Sequence, residues 1–258
     1  MITIDKLCYN SKLRYVNAGE KFAFTMITLL LCVISRSIVI ACIVLTATGI
    51  LTVYKGGIPL FRYMHFMTVP LAFLILSTLA IMFNLSRTPL DLFAIPLGEW
   101  YLTSSRDSFR YAVQLILTAL SSVSCLYFLS FSTPMPDILN VLGTLHCPKL
   151  SIELMLLIYR FIFVLLSVAS AITDSQHSRL GNKDYKTSLK SFSAMVSVLF
   201  IRSFKRANAL YDAMESRCYD GTIHVLNETF PPEKKHIFAI FVFDIVLLTL
   251  TVFIKLYL

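Results

Sequence analysis

The stretch from Phe22 to Tyr54 carries a single charged side chain, Arg36. An apolar run of that length has one natural solvent, a lipid bilayer, whose hydrocarbon core is crossed by about 20 residues of helix. Three more runs of the same kind follow, at Tyr63–Phe83, Phe109–Phe131 and His236–Leu256. With 57% hydrophobic and 15% charged residues in a chain of 258, there is too much apolar surface to hide in a soluble core of this size. The sequence predicts an integral, all-α membrane protein.

Ser35-Arg36-Ser37 interrupts the first run, which reads either as one long helix or as a hairpin of two short spans turning at Arg36. Asn17 and Glu20 have the spacing of a capping box that opens the first membrane helix. Residues 1–20 form a polar arm with no secretory signal. Tyr54 to Pro59 reads as a turn, Pro70 as a kink, and residues 84–107 as a loop whose Trp100 suits a membrane interface. A net charge of +8 could mean nucleic acid, but in a membrane protein it more simply marks cytoplasmic segments. A hairpin at Arg36, a cytoplasmic N-terminus and a non-crossing segment 132–235 put 18 of the 23 lysines and arginines on the cytoplasmic side. The charge pattern therefore favours about five transmembrane helices. The resulting division is a cytoplasmic arm (1–20), transmembrane helices 1–4 (21–131), a cytoplasmic helical region (132–235) and a C-terminal transmembrane helix (236–258).

Nothing in the sequence carries catalytic chemistry. There is no phosphate-binding glycine loop, the five histidines are dispersed, and His146-Cys147 falls far short of a metal site. The six cysteines show no CxxC pair and read as small hydrophobes. The apolar spans hold almost no ionisable side chain of the sort a permease needs along its pathway. Arg160 is the exception among the long apolar runs, and is expected to contact a neighbouring helix.

Between Ser151 and Gly221 the periodicity predicts two long helices, about 152–179 and 187–217, with a short one at 137–145 before them. Arg179 and Arg217 fall at the two C-terminal ends, with Gly181 and Gly221 close behind as stop residues able to take the left-handed conformation. On spacing alone, each arginine reads as a cation favoured by the helix dipole.

These residues also carry a resemblance. ELMLLIYRFIFVLL at 153–166, FIRSFKRANALYDAMESRCYDG at 200–221 and the triplets Ser178-Arg179-Leu180 and Ser216-Arg217-Cys218 resemble the transmembrane T component of energy-coupling factor transporters, closest to the cobalt-type CbiQ family. The likeness extends over nearly the whole chain. It implies that the two triplets, often Ala-Arg-Gly in the family, dock in two cytoplasmic ATPase subunits, with serine here for alanine and Leu180 and Cys218 where glycine is common. It further implies a separate membrane subunit that captures Co²⁺, a cell-membrane location and no enzymatic activity in this chain. ATP and Mg²⁺ would be bound by the partner ATPases, with neither a cofactor nor nucleic acid on this subunit. The short helix 137–145 would be a third coupling element. The alternatives are a T component for nickel or a vitamin, a membrane-embedded enzyme, and a membrane scaffold.

Overall fold

The computed structural model describes residues 3–82, 84–86, 93–97, 100–104, 106–219 and 230–257. They form two compact units, one of residues 2–138 with 228–258, the other essentially of residues 139–227. In the first, a short helix α1 (Thr3–Tyr9) and a 3-10 turn lead into α2 (Ala18–Ser35) and α3 (Ile38–Ile50), which ends in a π-helical turn over Leu51–Lys55. Then come α4 (Leu60–Met82), three short strands β1 (Asn84–Ser86), β2 (Phe93–Leu97) and β3 (Trp100–Ser104), and α5 (Arg106–Ser132). Past α6 (Met135–Thr144), the second unit holds α7 (Lys149–Ser178) and α8 (Tyr185–Glu215), and α9 (Lys234–Tyr257) belongs to the first unit again. The protein is an all-α membrane protein, as helices are one of the few ways to satisfy every backbone polar group in lipid.

The Arg36 interruption is a hairpin. Arg36 itself takes left-handed geometry (φ 46°, ψ 35°), which ends α2. Going back along α2 from Arg36, the carbonyl of Arg36 accepts from Gln114 on α5, Cys32 meets Ser121 and Thr28 meets Cys125. Going forward along α3, Thr48 meets Ser124. One helix therefore runs against α5 and the other runs with it. The residues along this seam are small, so the helices approach closely. Threonine hydroxyls at 25, 28, 48 and 52 donate to the carbonyl four residues earlier, at 2.6–2.8 Å, which pairs each of these four inside its own helix.

Asn17 does cap α2, its Oδ1 accepting from the amides of Gly19 (2.8 Å) and Glu20 (3.4 Å). The reciprocal half of the capping box is missing, since the Glu20 carboxylate makes no hydrogen bond among the described residues. The N-terminal arm is not simply polar. Leu7 and Cys8 are buried, Ser11 donates to the Gly56 carbonyl, and burial pushes the Cys8 thiol up to about 12. Gly56 tolerates no larger residue, because a Cβ there would lie 2.3 Å from the Thr52 carbonyl.

Residues 84–104 differ from the expected loop. The three strands pair antiparallel in the order β1-β3-β2, favoured by the alternating and aromatic run Trp100-Tyr-Leu-Thr-Ser. Pro96 sits on the edge strand β2, the place in a sheet where proline is tolerated. The side chain of Trp100, and with it the interfacial expectation, lies outside the described residues.

Six described helices are long and apolar enough to cross a membrane, α2, α3 with its π turn, α4, α5, α7 and α9. The charge pattern had favoured five. The extra candidate is α7, which satisfies length and hydropathy whatever charge flanks it.

Candidate functional site

The ends of α7 and α8 share one backbone geometry. At the first, Leu180 donates its amide to His177 O (3.1 Å) and Gly181 donates to Gln176 O (2.8 Å). At the second, Cys218 donates to Glu215 O (3.0 Å) and Tyr219 to Met214 O (3.1 Å). Each is a Schellman motif, which satisfies the last helical carbonyls by turning one residue left-handed. That residue is Leu180 (φ 57°) in one tip and Cys218 (φ 56°) in the other. Both follow the arginine directly, so the expectation that Gly181 supplies the left-handed position is corrected. Gly181 is one residue later and is needed for space: a Cβ there would lie 2.9 Å from both Gln176 O and Ser191 Oγ. Gly221, the expected stop for α8, lies outside the described residues.

The left-handed turn puts Arg179 and Arg217 at equivalent positions, each directly before the left-handed residue that closes its helix. Both are exposed, and among the described residues neither guanidinium has a hydrogen bond or an ion pair. Ser178 and Ser216, just before them, donate their hydroxyls to the carbonyls of Asp174 and Ala213. They stay within their own helices.

The second unit fixes how the tips are spread. Gln176 donates to the Ser191 carbonyl (2.8 Å) and Ser191 to the Gly181 carbonyl (2.7 Å), which ties the first tip to the start of α8. Tyr219 donates to Glu153 Oε2 (2.6 Å), tying the second tip to the start of α7. Two antiparallel helices joined at both ends hold their C-termini at opposite ends. At 1.5 Å per residue, that is a separation of about 40 Å. A cavity of about 420 Å³ adjoins the first tip, lined by Arg179, Arg202, Gln176, Ile172 and Val168.

Arg160, expected to contact a neighbouring helix, is exposed on α7 and has no hydrogen bond or ion pair among the described residues. Asp244 is the ionisable residue that sequence reasoning passed over. It lies within α9, is 9% exposed, and its Oδ1 has no partner among the described residues. A lone acid in FVFDIVLL is the signal that marks it. Among the described residues no three His, Cys, Asp or Glu side chains gather as a metal site.

A family model described as cobalt transport protein, CbiQ, matches residues 9–227. The chain belongs to the CbiQ family. It is thereby a transmembrane T component of the energy-coupling factor type. An uncharacterized protein of Methanocaldococcus jannaschii is 33% identical over 96% of this chain and 91% of its own length. The cobalt transport protein CbiQ of Salmonella typhimurium is 27% identical over 87% of this chain and all of its own. The energy-coupling factor transporter transmembrane protein EcfT of Ruminiclostridium cellulolyticum is 31% identical over 44% of this chain and 45% of its own. Family membership makes the chain a membrane component of a transporter, with several passes through the bilayer.

Proposed function

We propose that Arg179 and Arg217 are the anchors by which this subunit grips two cytoplasmic ATPase subunits, so that ATP hydrolysis there drives Co²⁺ uptake through a separate membrane capture subunit. The observation that supports this most is the repetition of one exposed Arg-plus-left-handed-residue geometry at two widely spaced tips. A single such tip could be an ordinary helix end. Two of them, with no internal partner for either arginine among the described residues, fit a pair of similar receptors. An arginine offers a planar fork of donors suited to a carboxylate in a partner groove. In this reading Ser178, Leu180, Ser216 and Cys218 shape the contact around the arginines. The N-terminus and residues 132–235 face the cytoplasm, ATP and Mg²⁺ bind to the ATPases, and this chain catalyses nothing itself. Cobalt as cargo follows from the names of the relatives.

The test is Arg179→Ala, Arg217→Ala and the double variant, read by copurification of the ATPase subunits and by Co²⁺ uptake. An arginine that merely caps a helix contributes about 0.3–1 kcal/mol, and its removal leaves assembly intact. Truncating one side of a buried charge pair costs about 2–5 kcal/mol, so each single variant is expected to weaken assembly and the double to abolish it. Lysine at either position restores binding only in part. A double-alanine protein that inserts, keeps its ATPases and still transports would refute the anchor role.

A further inference from the structure

One cavity of the first unit serves none of these roles. It has a volume of about 360 Å³, is partly open, and is lined by the N-terminal segment, α2, α3, α5 and α9. Its walls are mostly apolar, with Val16, Phe24, Ile50, Phe128, Ile240 and Phe243 prominent among them. Four polar side chains join the lining, Glu20, Lys21, Lys55 and His236. Two are already engaged: the Lys21 ammonium donates to the carbonyls of Leu13 (3.0 Å) and Ser132 (2.8 Å), and His236 Nε2 lies 3.4 Å from Glu233. Glu20 is not. It is 9% exposed, and neither carboxylate oxygen has a hydrogen-bond partner among the described residues.

A carboxylate taken out of water without donors is costly and calls for a partner. Water alone meets that need poorly here, because an ordered water wants two to four polar neighbours and most of this wall is apolar. A ligand that answers every feature has an ammonium for Glu20, an apolar chain for the walls, and an anionic group for Lys55, which is exposed where it lines the same cavity. The protein spans a bilayer whose lipids have that construction. We propose that this cavity binds a membrane lipid with a primary-ammonium head group, with Glu20 as the residue that selects the amine. The selectivity has a chemical basis. A primary ammonium brings N–H donors to the carboxylate, whereas a choline head has the same charge and no donor to give.

The experiment is native mass spectrometry of the full chain in detergent, challenged with phosphatidylethanolamine, phosphatidylcholine and phosphatidylglycerol of identical acyl chains, and separately with phosphoethanolamine. The ethanolamine lipid is expected to be retained about tenfold or more over the choline lipid, the usual effect of a hydrogen bond to a charged group. Phosphoethanolamine, lacking a chain, is expected not to compete. Glu20→Gln should erase the preference for ethanolamine over choline while still holding lipid. Ile240→Trp, which fills the cavity and leaves Glu20 in place, should reduce retention of every lipid. Equal retention of the ethanolamine and choline lipids by the native chain overturns the proposal, as does a preference that survives Glu20→Gln. Competition by phosphoethanolamine at equal concentration would show a site for a soluble amine and overturn the lipid assignment. Loss of the lipid on assembly with other subunits would assign Glu20 to a partner's basic side chain, and would overturn it too.

Discussion

Leu180 and Cys218 hold a conformation that their side chains resist. For an L-residue the left-handed region costs roughly 1–2 kcal/mol, while glycine enters it freely but loses about 0.5–1 kcal/mol through its greater unfolded freedom. Leu180→Gly is therefore expected to stabilise the first tip slightly, by up to about 1 kcal/mol. Gly181→Ala should do the reverse, because its Cβ would meet Gln176 O and Ser191 Oγ at 2.9 Å. Hydrogen exchange of the amides at 176–191 reads both local effects. The same sign from both substitutions would show that the turn is not built as described. The conformation also accounts for the resemblance: a glycine after the arginine, common in the family, is the residue this backbone prefers.

At the scale of elements, Ser124 joins three helices. Its Oγ lies 2.6 Å from Thr48 Oγ1 on α3 and 2.7 Å from the Tyr63 hydroxyl on α4. Ser124→Ala takes its partner from the buried Tyr63 hydroxyl and its cross-helix contact from Thr48, which still donates to the Val44 carbonyl, and is expected to lower stability by about 1–2 kcal/mol. Ser122, whose hydroxyl bonds only the Thr118 carbonyl of its own helix among the described residues, should be replaceable by alanine at almost no cost. Thermal unfolding of the two variants in detergent makes the comparison, and equal losses would remove the node from the account. On α7 the stripe Leu154, Ile158, Ile162 and Leu166 repeats every four residues and stays exposed. Such a face is stable only beside lipid or another apolar surface.

For the whole molecule, the open question of topology is α7. Hydropathy and length admit it as a sixth span, while the charge distribution places it, with α8, on the cytoplasmic side. Single cysteines at 182–186 and at position 233 of a cysteine-free protein are expected to react only from the cytoplasmic face of intact cells. If α7 crosses from a cytoplasmic N-terminal side, α8, which is not among the candidate spans, leaves both sites on the outer face, and external labelling at either position reveals it.

The sequence alone determined the solvent of this protein and most of its helix boundaries, since apolar period and length are local properties that survive any rearrangement of neighbours. It also placed Arg179 and Arg217 at helix ends. It left open whether Phe22–Tyr54 is one helix or two, because Ser35-Arg36-Ser37 is compatible with both. Packing against α5 settled that, through contacts between residues 76–97 positions apart. The strands at 84–104 escaped notice although β2 and β3 pair locally from Leu97 and Trp100 outward; it is the pairing of β1 with β3 that joins residues well separated in the chain. Gly181 was assigned the left-handed turn on residue type, yet the turn falls on Leu180, where the helix ends one residue earlier and Ser191 crowds the glycine. Only the tertiary structure could show that Glu20 lacks a partner among the described residues, since that is a property of everything packed around it.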